Sequence, residues 1–291
     1  MSDTPNFSRS VQITLVTPIL TPSPVKGQPR ARGAVALSTK QTQQGSALAD
    51  LRQSGAMKAL FPRPRGKALE AIVINTAGGI TGGDTFAFSA VAGHDTALTL
   101  TTQAAERAYR AQPSERARVE NRLQVHTGAR LNWLPQETIL FEACAVDRTM
   151  HVELEDGASV LLVEPLVFGR AAMGETLRAA SFKDRIEVRR HGKPLFLDAM
   201  TLNGDVTSQL DNAGVAAGAG ALALLVYIAD DAETHLEKLR EMLPETAGAS
   251  LIGKDVLVAR FLAQDSFELR QSLIPIIEHL TNDAPPRSWM T

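Results

Sequence analysis

Cysteine is almost missing from this sequence: among 291 residues only Cys144 carries a thiol. That excludes an intramolecular disulfide and any cysteine-rich zinc or iron-sulfur site, and it fits a reducing compartment. Aromatic residues are scarce, with two Trp and two Tyr, too few for the stacking platforms of a carbohydrate-binding module. Charge of either sign is not in excess. At a net charge of -2 and a pI of about 6.3, the global field draws the chain neither to nucleic acid nor to an anionic membrane, so partners must be recognised locally. Long apolar runs are also lacking. Nothing approaches the roughly 18 apolar residues of a membrane span, and the opening MSDTPNFSRS has no apolar core of a signal peptide. The expectation is a cytoplasmic protein that is neither exported nor inserted.

The usual catalytic signatures are missing as well. His94, His126, His151, His191, His235 and His279 are scattered, without an HExxH pair or helical i, i+4 spacing. No GxSxG elbow presents a serine, and Cys144 falls in a presumed strand, where it reads as packed rather than nucleophilic. No tightly bound cofactor is expected.

What the sequence does contain is β-type alternation. ALTLTT (97–102), RLNWL (130–134), HVELE (151–155), SVLLVEPLVF (159–168), RIEVRR (185–190), ALALLVYIA (221–229) and VLVARFLA (256–263) read as short strands. Two stretches read as helices. Residues 230–243 open with acids and place Leu236, Leu239 and Leu243 on one face. Residues 267–280 repeat the pattern, with Ser266 as the expected N-cap and Pro275 expected to kink or interrupt the helix. Residues 101–122 are ambiguous, since their Ala, Glu and Arg favour helix between neighbours that read as strand. Residues 1–70 are expected to be a loop-rich N-terminal part of the same domain, with one strand at 11–16, and residues 71–291 its core. Ala97, Ala129, Ala158 and Ala221 each precede a strand, at intervals of 32, 29 and 63. A period of roughly 30 residues is what a loosely repeating β-solenoid gives, although Gly-Ala turns before strands are also common by chance.

INTAGGITGGDTF (74–86) invites comparison with a phosphate-binding loop. The strand is present, but no lysine follows the glycines, Asp84 brings negative charge, and the next residues alternate like a strand rather than opening a helix. Both nucleotide readings fail. A turn remains, in which glycine supplies positive φ and close backbone approach. Glu137, Glu142, Glu164 and Glu175, with Asp84, lie beside prolines, glycines or apolar runs. Carboxylates lining a wet channel bind a divalent cation weakly enough to pass it on; solvated strand ends are the plainer role for any one of them.

Five stretches in order, INTAGGITGGD (74–84), TTQAAERAYR (101–110), WLPQETILFEAC (133–144), GRAAMGE (169–175) and PPRSW (285–289), resemble the urease accessory protein UreD family, also called UreH. The resemblance implies an assembly factor rather than an enzyme, one that binds the urease apoprotein together with UreF and the GTPase UreG and delivers nickel, held only in transit. It also implies a mainly β fold, an irregular solenoid with about two α-helices, which would turn residues 101–122 into strand and loop. Gly78, Gly79, Gly82, Gly83 and Asp84 match the family turn. Asp84, Glu164 and Glu175 are the candidate ion path, and Arg287 and Trp289, in the matching tail, the candidate contact with UreF. Two departures stand out: Thr76 and Ala77 replace prolines common in the family, and IIEHL (276–280) lacks its usual tryptophan and arginine. The alternative from another class is a metal-dependent hydrolase on a β-solenoid, for which the sequence offers no nucleophile with its base.

Overall fold

In the computed structural model, which describes residues 28–170 and 173–290, the chain winds back and forth between two facing β-sheets. Strands are numbered along the chain. The first sheet holds β1 (Arg32–Thr42), β2 (Gly45–Gly55), β5 (Thr85–Ala92), β8 (Ala117–Val125), β11 (Ala145–Leu154), β13 (Ala180–Arg190) and β14 (Lys193–Gly204). The second holds β3 (Met57–Leu60), β4 (Leu69–Asn75), β6 (Ala97–Thr102), β7 (Glu106–Ala108), β9 (Arg130–Leu134), β10 (Thr138–Leu140), β12 (Ser159–Phe168), β15 (Ala221–Ile228), β16 (Ala247–Ile252) and β17 (Val256–Ala263). Helices α1 (Val206–Leu210), α2 (Ala232–Met242) and α3 (Ser266–Thr281) and a 3-10 turn at Arg287–Trp289 complete the described elements.

The solenoid is carried by parallel pairs. β1, β5, β8, β11 and β13 pair in parallel in one sheet, while β4, β6, β9 and β12 do so in the other. Each coil crosses from one sheet to the other and back, for about four turns. The alanine echo maps onto this winding. Ala97 pairs with Arg130, which follows Ala129, and Arg130 pairs with Ser159, which follows Ala158. Ala221 lies outside the repeat, because β15 runs antiparallel to β12 and closes the stack.

Alternation decides which side chains enter the lumen. β5 turns Phe86, Phe88, Ala90 and Ala92 inward, and its partner sheet supplies Leu98, Leu100, Leu131 and Trp133. β12 reads as an apolar run broken only by Glu164 because both of its faces are covered: Val160, Leu162 and Leu166 face the lumen, while Leu161 and Val163 meet α2 and α3. A second core, built on Leu239, Leu269, Leu273, Ile276, Ile277 and Trp289, packs on that outer face.

Several sequence expectations need correction. Residues 32–60 are not loop but three strands, β1 to β3. β2 is an edge strand with most side chains exposed, so its polar composition hid it. The strand expected at 11–16 lies outside the described residues. Asp265, rather than Ser266, caps α3, its carboxylate accepting from the Glu268 amide at 2.9 Å. Pro275 does not interrupt α3; it and Gln271, whose carbonyl it leaves free, are exposed, so water can satisfy that carbonyl. Residues 101–122 form the end of β6, β7, the start of β8 and loop, as the resemblance implied. α1 is a five-residue helix with no periodic signal to read. Among the described residues no helix is long and apolar enough to cross a membrane.

Candidate functional site

The solenoid has two unlike edges. On one, short turns after β5, β8 and β11 return the chain quickly; on the other, the longer connections after β4, β6, β9 and β12 carry the glycine turn and the WLPQET and GRAAMGE stretches. A cavity of about 220 Å³ opens inside that second edge, lined by Asn75, Glu106, Trp133, Arg148, Glu164 and Phe182 among others.

Arg148 and Glu164 make its charged floor, and Asp184 holds Arg148 from behind. Arg148, inward on β11, donates from Nε to Asp184 Oδ1 at 2.9 Å and from Nη2 to Oδ2 at 2.6 Å, a bidentate pair between neighbouring strands. Its Nη1 lies 2.6 Å from Glu164 Oε2, a close ionic contact without the alignment of a hydrogen bond. Trp133 donates its indole N–H to the other oxygen, Oε1, at 2.7 Å. Arg148, Asp184 and Glu164 are all buried. Burial pushes the Glu164 carboxyl above the usual carboxylate range, and the opposing pull of Arg148 does not cancel it. With all three ionised, the group carries one uncompensated negative charge, which a bound proton or cation would neutralise.

The glycine turn forms the mouth. Asn75 donates from Nδ2 to Gly79 O at 2.9 Å and to Glu106 Oε2 at 3.1 Å, tying the turn to a second lining carboxylate. Burial also raises the Glu106 pKa. Gly79 has φ 151°, and a Cβ there would stand 2.3 Å from the Tyr109 ring. Gly82 has an ordinary φ but no room: a Cβ would meet the Ala111 Cβ at 2.7 Å. Gly78 and Gly83 adopt positive φ, at 82° and 87°. Glycine therefore serves turn geometry and close approach.

The three expected ion-path residues are not gathered at one place. Glu164 lines the cavity. Asp84 is buried behind the turn, where Oδ1 accepts from the Ala31 amide and Oδ2 from the Thr81 amide, both at 2.8 Å. Glu175 accepts from Arg170 through its backbone N–H, Nε and Nη2 at 3.0, 2.9 and 3.1 Å, and these bonds hold its carboxyl below the usual range. Glu142 caps the loop beyond, accepting from the Arg178 amide at 2.7 Å. Glu137 is gripped by Arg270 of α3, whose Nη2 donates to Oε2 at 2.7 Å.

The tail is placed with equal definition. Trp289 is 2% exposed, donating its indole N–H to Leu134 O at 2.9 Å with Arg270 5.9 Å above its ring. Arg287, two residues earlier, is exposed. Cys144 is buried just before β11, its thiol pushed up to about 11 by burial, so it remains protonated.

Sequence reasoning missed Arg148, Asp184 and Glu106. Arg148 and Asp184 occupy inward positions of otherwise apolar alternation, the one signal that could have found them: AVDRTMHVEL puts Arg148 in phase with Val146, Met150 and Val152.

Fold and site together define a parallel β-solenoid protein with a buried ionic group, Arg148, Asp184 and Glu164, beside the cavity between its sheets. The description "UreD urease accessory protein" matches residues 31–290, and the chain belongs to this family. A Ruegeria pomeroyi protein named urease accessory protein UreD is 58% identical over 87% of this chain and 98% of its own length. Proteins of the same name from Roseobacter denitrificans and Rhizobium rhizogenes are 48% and 40% identical, over 90% and 89% of this chain and 96% and 95% of theirs.

Proposed function

We propose that this chain is a cytoplasmic scaffold for nickel insertion: it joins the urease apoprotein to UreF and UreG and passes nickel through its lumen, without chemistry of its own. The observation that carries the reading is the buried Arg148, Asp184 and Glu164 group at the cavity, in which two carboxylates share one cation. A fixed cation beside the two carboxylates limits how tightly a second cation is held, and carboxylate oxygens grip a borderline first-row ion less firmly than thiolate or imidazole. Such a site favours passage over storage. Glu164 and Glu106 are the residues we assign to the path; Asp84 and Glu175 frame it by holding the loops at its mouth. Arg287 is the tail residue we assign to the UreF contact, with Trp289 fixing the tail from inside.

Co-expression of the tagged chain with a urease operon, with and without UreG, tests this. The urease subunits, UreF and UreG should co-purify, and urease should need the chain for nickel-dependent activity. Glu164→Gln and Glu106→Gln should lower the nickel content of urease while the complex still assembles. Normal urease maturation in the absence of the chain, with nothing co-purifying, would sink the reading.

A further inference from the structure

His94, His126 and Glu155 meet on the short-turn edge of the solenoid, across the fold from the cavity. They come from three successive coils, in the turns that follow β5, β8 and β11. The ladder brings them together. Ala92 pairs with Val125 and Val125 with Leu154; the His126 amide then donates to Ala92 O and the Glu155 amide to Val125 O, both at 3.0 Å. The turns therefore stack at the inter-strand spacing, about 4.8 Å. His126 and Glu155 follow directly from matched rungs, and His94 lies one residue further along its own turn.

One ligand atom from each of the three residues lies within 4.8 Å of the others. His126 Nδ1 is 3.2 Å from Glu155 Oε1, and His94 Nδ1 is 4.0 Å from Glu155 Oε2. The two imidazoles stand edge to face, 4.8 Å between centroids. The carboxylate is held in place by Thr127, which donates its amide at 2.8 Å and its hydroxyl at 3.0 Å to Oε2. That is the kind of outer support that orients metal ligands. His126 Nδ1 is shielded from solvent and makes no hydrogen bond. A ring nitrogen left unpaired beside a carboxylate oxygen is satisfied by a cation placed between them.

We propose that His94, His126 and Glu155 form a binding site for a first-row divalent transition ion of the nickel and zinc class, clipping together the turns of three consecutive coils. Bonds of about 2.0–2.2 Å to nitrogen and oxygen put neighbouring ligand atoms about 3 Å apart. His126 and Glu155 already stand at that spacing. The His94 side chain, 66% exposed, is free to close the remaining gap of about 1–2 Å by rotation. Three protein ligands leave the rest of the shell to water, and two imidazoles select against magnesium and calcium. The site does not depend on the proposed passage, since none of its residues lines the cavity.

Isothermal titration of the full, tag-free chain with nickel, zinc or magnesium chloride tests it. One equivalent of nickel or zinc should bind, and magnesium should not. His94→Ala and His126→Ala should abolish that equivalent, and Glu155→Gln should weaken it at least tenfold. His151→Ala, a surface imidazole on β11, and Glu164→Gln in the lumen should leave it in place. Circular dichroism melts report folding separately: nickel should raise the Tm of the wild type but not of the His94 and His126 variants. Stoichiometry and affinity unchanged across the three ligand variants, magnesium binding equal to nickel, or a folded wild type that binds no ion would each overturn the site.

Discussion

Arg148 and Glu164 reach each other from opposite sheets, Nη1 to Oε2 at 2.6 Å, and so tie the two walls of the lumen together. Asp184 holds the same guanidinium from the next strand. Removing the arginine would leave two carboxylates buried without their cation. Arg148→Met should therefore destabilise the fold by about 3–5 kcal/mol, the usual loss when one partner of a buried pair is deleted. Denaturant unfolding measures it, and a change below about 1 kcal/mol would mean that water reaches the group freely.

Glu164 also makes stability depend on pH, with a definite sign. Its carboxyl titrates above the ordinary range in the folded state because burial disfavours the charge. Its contribution is thus fully present below the unfolded value, about 4.3, and is lost as pH rises through the folded value. Glu164→Gln removes that loss. The Tm of the variant should gain on the wild type as pH is raised from acid towards neutral; parallel profiles would show that the carboxyl is not strained by burial.

Asp84 separates turn architecture from ion handling. Its carboxylate accepts from two backbone amides, and Asp84→Ala would leave both without that acceptor. At about 1–3 kcal/mol for each unsatisfied buried donor, the loss should be roughly 2–6 kcal/mol, and Asp84→Asn should recover part of it. Folding stability, read by thermal unfolding, should fall before any effect on nickel transfer. An Asp84→Ala variant as stable as wild type would return this residue to the ion path.

Much of this architecture was legible in the sequence, and part of what was hidden shares a cause. β6, β9, β12 and β17 could be read to the residue because their apolar phase is set by two covered faces or by one. β2 and β14 were not legible: both lie at sheet edges, so most of their side chains meet water and carry no phase. The site divides in the same way. Glu164 stood out beside Pro165 in an apolar run, but Arg148 and Asp184 become partners only through the parallel register of β11 and β13, which no local spacing encodes.

Cys144 should be inert. Burial pushes its thiol up to about 11, so the thiolate is rare at pH 8. Iodoacetamide should modify it only after denaturation. Rapid labelling of the folded chain would show that the loop before β11 opens far more readily than its hydrogen bonds from Cys144 to Phe141 O and from Ser181 to Cys144 O suggest.

The tail offers two neighbouring residues with opposite tasks, and a pair of substitutions separates them. Trp289 is packed into the second core and bonded to Leu134 O, so Trp289→Ala should cost about 3–5 kcal/mol through the cavity it leaves. Trp289→Phe keeps most of the packing and loses the indole bond, for about 1 kcal/mol. Arg287 is exposed, and Arg287→Ala should leave the unfolding midpoint within about 0.5 kcal/mol of wild type. If the tail contacts UreF through Arg287, that variant alone should lose co-purification with UreF while remaining folded. Trp289→Ala should lose it only in step with stability, and Trp289→Phe should retain it. An Arg287→Ala variant that still captures UreF at wild-type yield would move the contact elsewhere and leave the tail the single task of closing the second core.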